Sequence, residues 1–151
     1  MANETECVEH NWTLIETLLP KDTNPAGSIF GGVLMSLMDK AAAVTAWRYA
    51  RSQVVTAGAE EIAFLRPVRV GEVVKVAAEI VYTGRTSMDL EVLVVAEDVL
   101  SGRCYEAARG CFTMVALDDA GRPTEVPPWQ PATDGQLRRY EAARQRRERR
   151  A

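Results

Sequence analysis

The pattern of apolar and polar positions predicts one long helix near the start of the chain. Residues 33–51, VLMSLMDKAAAVTAWRYAR, are rich in Leu, Met and Ala and contain neither Gly nor Pro, which predicts a helix of about five turns. Its apolar residues fall on most sides, as is typical of a buried helix rather than a surface one. We therefore expect this helix to lie at the centre of the fold.

Strands are predicted before and after this helix in the sequence. They are short alternating segments rich in Val, Ile and aromatic residues, at 12–19, 54–65, 72–84, 87–99 and 103–117. The short polar connections at 84–86 and 100–102 predict hairpins, so the last four strands are expected to form a meander. Gly110 is expected to mark a bulge in the final strand. The pattern predicts an α+β fold in which one antiparallel sheet wraps around one long central α-helix.

The two ends differ in composition from this central part. Residues 1–11 are expected to form a flexible leader, residues 12–126 a single domain and residues 127–151 an extended, basic tail whose last part is a short helix candidate. From Asp134 onward the chain contains seven arginines and three acidic residues, a local charge of +4, whereas the preceding residues carry a net charge of −7. Such a tail can bind phosphates or nucleic acid, but a frayed, solvated terminus is the commoner outcome.

Composition and charge exclude several classes of protein. A chain of 151 residues with a net charge of −3 has the size of one domain and no general attraction for nucleic acid or membranes. The three cysteines, Cys7, Cys104 and Cys111, include no CxxC pair, which argues against a disulfide framework or a zinc site and favours the cytoplasm. The lone histidine, His10, cannot supply a metal site or readily complete a catalytic triad. No signal peptide or membrane span is predicted.

Asp39 and the glycines before the helix are the first candidates for chemistry. A carboxylate on a buried helix is costly unless it is paired or used, and burial makes it a stronger base. A structural pairing of Asp39 with Lys40 or Arg48 is the alternative. Gly31 and Gly32 leave free N–H groups at the helix start that suit a developing negative charge on a carbonyl oxygen, although two glycines also simply make a tight turn.

Two loops supply further candidates. Asn24 can hydrogen-bond a substrate or water, or form an ordinary Asx turn. The hairpin corner Gly84, Arg85, Thr86 and Ser87 offers a guanidinium, hydroxyls and backbone N–H groups to phosphate oxygens, or is an ordinary polar turn. Arg66 and Arg69 are expected to be solvated, with a possible contribution to anion binding. Cys104 and Cys111 are expected to be packing or lining residues rather than nucleophiles.

The segment DTNPAGSIFGGVLMSLMD carries a resemblance to a known family. It resembles the loop and helix of YciA-like acyl-CoA thioester hydrolases of the hotdog fold, with matches at Asp22, Asn24, Gly27, Phe30, Gly31, Gly32, Met38 and Asp39. Residues 64–74, the GRTS segment 84–87 and residues 112–123 are similar to further family patterns, so the resemblance runs from about Leu14 to Pro128. Lys40-Ala41-Ala42 stand where many relatives have glycine, and Phe30 where some have histidine.

The resemblance implies hydrolysis of acyl-CoA to a free carboxylic acid and CoA. It implies that Asp39 is the base or nucleophile, that Asn24 acts from the partner subunit, and that Gly31 and Gly32 bind the thioester. Gly84, Arg85, Thr86 and Ser87 are implied to bind CoA. It further implies a homodimer as the minimum active unit, a homohexamer as the common assembly, no metal, and no cofactor apart from CoA as part of substrate and product.

Two other functions remain open at this point. A hotdog acyl-CoA sensor would use the same fold and the Arg85–Ser87 corner, but it would not need Asn24 and Asp39 together. A hotdog dehydratase or hydratase would need an active-site histidine, and His10 is badly placed for that role. No nucleic-acid or membrane partner is expected, because the core is acidic and no helix-turn-helix is evident.

Overall fold

The computed structural model describes residues 11–150, so the predictions for Cys7, His10 and most of the leader 1–11 lie outside the described residues. The described part contains five strands and two α-helices. In chain order they are β1 Leu14–Thr17, α1 Gly31–Ala50, β2 Gln53–Phe64, β3 Val73–Thr83, β4 Ser87–Asp98, β5 Arg103–Leu117 and α2 Asp134–Arg150, with a short 3₁₀ turn at Pro20–Asp22. Neither α1 nor α2 combines the length and the hydropathy that a bilayer-crossing helix requires.

All five strands pair antiparallel in the order β1-β3-β4-β5-β2. The predicted architecture of one sheet around one long helix is confirmed, and so are the two hairpins that join β3, β4 and β5. The four-strand meander is wrong, because β2 pairs with β5 and not with β3. The outer edge of β3 is occupied by β1, from Leu14 opposite Val76 to Thr17 opposite Val73. β2 therefore joins the free edge of β5 at the other side of the sheet.

The core lies between one face of α1 and the concave face of the sheet. Its fully or nearly fully buried members on α1 are Leu34, Leu37, Met38, Ala41, Ala42 and Ala46. From the sheet, large buried side chains include Val76, Met88, Leu90, Val94, Phe112 and Met114. Burial of each large apolar side chain contributes about 1.5–3 kcal/mol. Met35 and Trp47 are 38% and 48% exposed, so the expectation that α1 is buried on all sides is wrong within a single chain.

Gly110 is required by close packing and not by a bulge of its own strand. It pairs regularly with Val92 on β4, while the extra residue in β5 is Ala107. On the other side, β2 places two residues, Glu61 and Ile62, opposite Gly110. A Cβ at position 110 would collide with the Ile62 side chain and lie 3.2 Å from Met38 Cε. The bulge predicted at Gly110 is therefore in the neighbouring strand.

The helix candidate in the C-terminal segment is confirmed, but the segment packs against the sheet and is not an extended, solvated tail. Residues 134–150 form α2, which packs beside β3 with Ala143 fully buried. The Tyr140 ring lies 4.9 Å from that of Tyr82 and 6.2 Å from that of Trp129, between ring centroids. The segment before α2 is also fixed, because the Tyr49 hydroxyl donates to the Pro127 carbonyl oxygen at 2.7 Å. Aromatic packing and ion pairs to the sheet hold this basic helix in place.

Candidate active site

Asp39 lies in the middle of α1 on the side that faces β2. The Thr56 hydroxyl donates a hydrogen bond of 2.6 Å to Asp39 Oδ1, and it also lies 3.4 Å from Met114 Sδ. Asp39 is half-buried, so the expectation of a buried carboxylate at this position is corrected for the single chain. Among residues 11–150 Asp39 makes no ion pair, and neither Lys40 nor Arg48 neutralises it. One carboxylate oxygen is thus oriented by Thr56 and the other is left for a substrate or water.

Helix α1 begins at Gly31 with no side chain capping its first N–H groups. Within the described residues the backbone N–H groups of Gly31 and Gly32 have no hydrogen-bond partner. Neither glycine has a positive φ, so a turn conformation does not require glycine there. A Cβ at position 31 would lie 3.1 Å from Phe64 Cζ, whereas position 32 is open. The helix start therefore presents two free donors at the positive end of the helix dipole.

Asn24 organises the loop before α1. Its side-chain oxygen accepts from the N–H groups of Ala26 at 2.9 Å and Ser28 at 3.2 Å, and its amide nitrogen donates to Ser28 Oγ at 3.0 Å. This is the Asx-type arrangement that was the alternative for this residue. Within one chain, Asn24 and Asp39 share no hydrogen bond between residues 11 and 150. The loop holds the Asn24 side chain in one defined orientation.

At the hairpin corner the Arg85 side chain has no polar contact within the described residues, whereas the Ser87 hydroxyl is hydrogen-bonded to α2. The Arg85 side chain is exposed and makes no hydrogen bond or ion pair inside the described part of the chain, while its carbonyl accepts from Val126 N–H at 3.0 Å. Ser87 Oγ accepts from Arg147 Nη2 of α2 at 2.7 Å. Arg147 also lies close to Gly84, where its Nη1 would be 2.6 Å from an added Cβ. The corner is thus built from the hairpin together with α2.

The two described cysteines are poor nucleophiles. Burial raises the pKa of the Cys111 thiol to about 11, so the thiol is protonated near neutral pH. Cys104 is buried on β5, which is consistent with the expected packing role. Among the described residues no group of three His, Cys, Asp or Glu side chains has a metal-binding arrangement.

Comparison with known proteins places this fold in a family. The sequence profile described as "Thioesterase superfamily" matches residues 26–102. The chain belongs to the thioesterase superfamily. The hotdog fold predicted from the resemblance is confirmed with it, and so is the likeness to YciA-like acyl-CoA thioester hydrolases.

Two curated relatives show the extent of this similarity. The acyl-CoA thioester hydrolase YciA of Escherichia coli is 43% identical over 112 residues, which cover 72% of this thioesterase-superfamily chain and 85% of YciA. The cytosolic acyl coenzyme A thioester hydrolase of Rattus norvegicus is 36% identical over 136 residues, 89% of this chain. The match spans only 36% of that longer relative.

Solved structures agree with this superfamily assignment. An apo-hexameric acyl-CoA thioesterase superposes with a TM-score of 0.86 at 38% identity, covering 91% of this chain and 88% of that one. The acyl-CoA hydrolase of Staphylococcus aureus, in complex with butyryl coenzyme A, coenzyme A and coenzyme A disulfide, superposes with a TM-score of 0.83 at 39% identity. That match covers 91% of this chain and 84% of the hydrolase.

Sequence reasoning missed two residues that the structure brings to the site. Thr56 is a single threonine in an alternating strand, and its partner Asp39 is 17 residues away. Arg147 is separated from Ser87 by 60 residues and was one of seven arginines in a segment expected to be solvated. A hydroxyl on the strand that follows the helix was the only available sign of Thr56, and nothing distinguished Arg147.

Proposed function

We propose that this chain is an acyl-CoA thioesterase, which converts R–CO–S–CoA and water into a carboxylic acid and free CoA. The observation that carries the proposal is the 2.6 Å hydrogen bond from Thr56 to Asp39 Oδ1. That bond fixes a half-buried carboxylate, unpaired within the described chain, in a fold shared with acyl-CoA hydrolases. No bound metal or cofactor is required in this proposal, since CoA is part of the substrate and the product.

The proposed reaction begins at the start of α1. The thioester carbonyl oxygen accepts from the N–H groups of Gly31 and Gly32, which stabilise its charge as it grows. Asp39 either takes a proton from the attacking water or attacks the carbonyl carbon itself to form a mixed anhydride that water then hydrolyses. In both routes the carbon–sulfur bond breaks, CoA leaves as the thiolate and takes up a proton. Asn24 of the partner subunit orients the water or the thioester.

The Staphylococcus aureus hydrolase supports these assignments. Its structures include variants in which an asparagine, an aspartate or a threonine is replaced by alanine. Those three residues follow one another in that chain with the same spacing as Asn24, Asp39 and Thr56 in this one. The same residue types at the same spacing support a common site made of these three side chains.

The geometry of α1 supports a site shared by two subunits. Asp39 lies eight residues beyond Gly31 on the same helix, which corresponds to about 12 Å at ~1.5 Å per residue. A single thioester carbon cannot be within bonding distance of both in one chain. We infer a homodimer in which the start of α1 and Asn24 of one subunit complement Asp39 of the other, with a homohexamer as the assembly because several similar structures are described as hexameric.

The rest of the proposed setting follows from the substrate. Exposed Arg85, with Gly84, Thr86 and Ser87, binds the nucleotide end of CoA through charge-assisted hydrogen bonds to phosphate. Like the cytosolic mammalian relative, the protein is proposed to act in the cytoplasm. Its partners are acyl-CoA and further copies of the chain, with neither nucleic acid nor a membrane among them.

Release of free thiol from a panel of acyl-CoAs, short to long and including aromatic acyl groups, tests the activity. The purified full chain is expected to release thiol from at least part of the panel, and the profile gives its acyl preference. Calorimetric binding of acyl-CoA with no release across the panel would instead identify an acyl-CoA sensor.

Thr56→Val should weaken catalysis while preserving the shape of the side chain. Loss of a hydrogen bond to a charged group costs about 1.5–3 kcal/mol, so kcat is expected to fall by roughly 10- to 100-fold. Thr56→Ser keeps the hydroxyl and is the matched control, expected to stay within about threefold of the wild type. Steady-state kinetics of both variants test this prediction. A valine variant with undiminished kcat would show that the Thr56 hydroxyl does not contribute to catalysis.

A further inference from the structure

A polar cavity lies at the other end of the sheet from the Gly84–Ser87 corner. Its volume is about 620 Å³, and it is formed by the connection between β2 and β3 and by the turn between β4 and β5. We call it the basic groove, after its lining by Arg66, Arg69 and Arg103 together with Glu72, Asp98 and Tyr105. Strands β3 and β4 run from this end to the corner over ten or more residues, so the two sites are roughly 30 Å apart in one chain.

Both carboxylates of the basic groove are engaged in local hydrogen bonds. Glu72 Oε1 accepts from the Arg69 backbone N–H at 2.9 Å and from the Tyr105 hydroxyl at 2.8 Å. Asp98 Oδ1 accepts from the backbone N–H of Leu100 at 3.1 Å in the β4–β5 turn. Within the described chain neither carboxylate forms an ion pair with Arg66 or Arg69. The carboxylates shape the loops and leave these two guanidinium groups available.

The two available guanidinium groups are oriented by different contacts. The Arg66 guanidinium lies over the Tyr105 ring, 5.7 Å from its centroid, and the arginine is half-buried. The Arg69 side chain is exposed and has no ion pair between residues 11 and 150. Burial, followed by the hydrogen bond to Glu72, raises the pKa of Tyr105, so the tyrosine stays neutral and retains its proton as a donor. The groove therefore combines the two guanidinium groups of Arg66 and Arg69 with an uncharged aromatic wall.

This chemistry selects a phosphorylated ligand. Guanidinium groups bind phosphate oxygens through paired, charge-assisted hydrogen bonds, and two of them within one cavity match a diphosphate better than a single carboxylate. We propose that the basic groove binds the diphosphate group of a nucleotide-type ligand through Arg66 and Arg69.

The basic groove is connected to the proposed thioester site through the backbone. Ser28, in the loop organised by Asn24, forms an antiparallel bridge with Arg69, and the Ile29 N–H donates to the Val68 carbonyl at 2.8 Å. A ligand bound to Arg69 would thus contact a residue that is directly bridged to the loop carrying Asn24. The diphosphate has two possible sources, the CoA moiety of a substrate held at the Gly84–Ser87 corner of another subunit or a separate nucleotide effector, and only the first of them rests on the proposed function.

Calorimetric titration with inorganic pyrophosphate tests the groove without any turnover. The full-length protein is expected to bind pyrophosphate, and Arg66→Gln/Arg69→Gln to bind it at least roughly tenfold more weakly. Arg69→Gln alone, at an exposed position, should give an intermediate loss and avoids any packing change at Arg66. Arg138→Gln removes one exposed positive charge from α2 and should bind like the wild type. Absence of wild-type binding, or equal binding by the double variant, would overturn the proposal.

Hydrolysis of acyl-CoA and acyl-pantetheine then identifies the source of the diphosphate. If the groove holds the substrate's phosphates, the double variant raises KM for acyl-CoA by roughly tenfold and leaves acyl-pantetheine kinetics unchanged. If it holds a separate effector, both substrates keep their KM while pyrophosphate binding is still lost. A protein that binds pyrophosphate through these arginines but hydrolyses neither substrate would disprove the thioesterase proposal and still support diphosphate binding by the basic groove.

Discussion

Replacing Asp39 by asparagine is expected to lower kcat for acyl-CoA hydrolysis by roughly 100- to 10,000-fold. The amide oxygen can still accept the hydrogen bond from Thr56 that now reaches Oδ1 at 2.6 Å, so the side chain should keep its position. An amide can neither take a proton from water at neutral pH nor form a mixed anhydride. Both routes open to Asp39 are therefore blocked, while the substrate contacts made at Gly31 and Gly32 remain.

The decisive measurement compares kcat with stability in the same preparation. Asp39→Asn should unfold at nearly the wild-type temperature, because the substitution preserves size and the one hydrogen bond. Asp119→Asn, at an exposed position in the turn after β5, is the matched control and should keep full activity. An Asp39→Asn enzyme that retains at least half of the wild-type kcat would show that another group performs the chemistry.

Arg147→Ala is expected to destabilise the protein by about 3 kcal/mol, the lower end of the range for breaking a buried ion pair. Arg147 Nε donates to Asp89 Oδ2 at 2.8 Å and Nη2 to Asp89 Oδ1 at 3.1 Å. Asp89 is only 3% exposed, so its charge would be left largely uncompensated. Two groups moderate the loss, since Arg150 lies 3.6 Å from Asp89 Oδ2 and Thr113 donates to Oδ1.

Urea unfolding followed by circular dichroism measures this effect. Arg144→Ala is the control on the same helix, because among residues 11–150 Arg144 pairs only with Glu141 of its own helix at the surface. It should hardly change the unfolding midpoint. Joint replacement of Asp89 by leucine and Arg147 by methionine should recover roughly half of the loss or more. If Arg147→Ala and Arg144→Ala behave alike, α2 is held by its aromatic contacts and the buried ion pair contributes nothing.

The sequence was sufficient to predict elements whose signals are local. The long helix was predicted because an apolar run without Gly or Pro is unambiguous, and hairpins followed from short turns between alternating segments. The placement of β2 could not be predicted in this way, since strand order depends on which sheet edge is already occupied. Only the pairing of β1 with β3, some sixty residues apart in sequence, excludes β2 from that edge.

The same distinction between local signals and long-range contacts explains which residues of the candidate site could be predicted from the sequence and which could not. Asn24, Gly31, Gly32 and Asp39 lie within one continuous segment, so their arrangement could be anticipated from its motif. The docking of α2 depends on acidic residues of the sheet, including Glu79, Asp89 and Glu91, that are far away in sequence. A row of arginines gives no sign of which of them meets a buried carboxylate.

The two register irregularities of β2 allow this strand to contact α1 at two separate points. Between Thr56 and Phe64, Ala57 and one residue of the Glu61–Ile62 pair are extra relative to β5. The strand thereby reaches both Asp39, through Thr56, and the start of α1, through Phe64 against Gly31. Each extra residue is accommodated as a bulge, so Thr56 stays paired with Met114 and Phe64 with Ala108 on either side of the two irregularities. The separation between base and carbonyl-binding end is set by α1, and β2 contacts both points along the helix only because it carries these two extra residues.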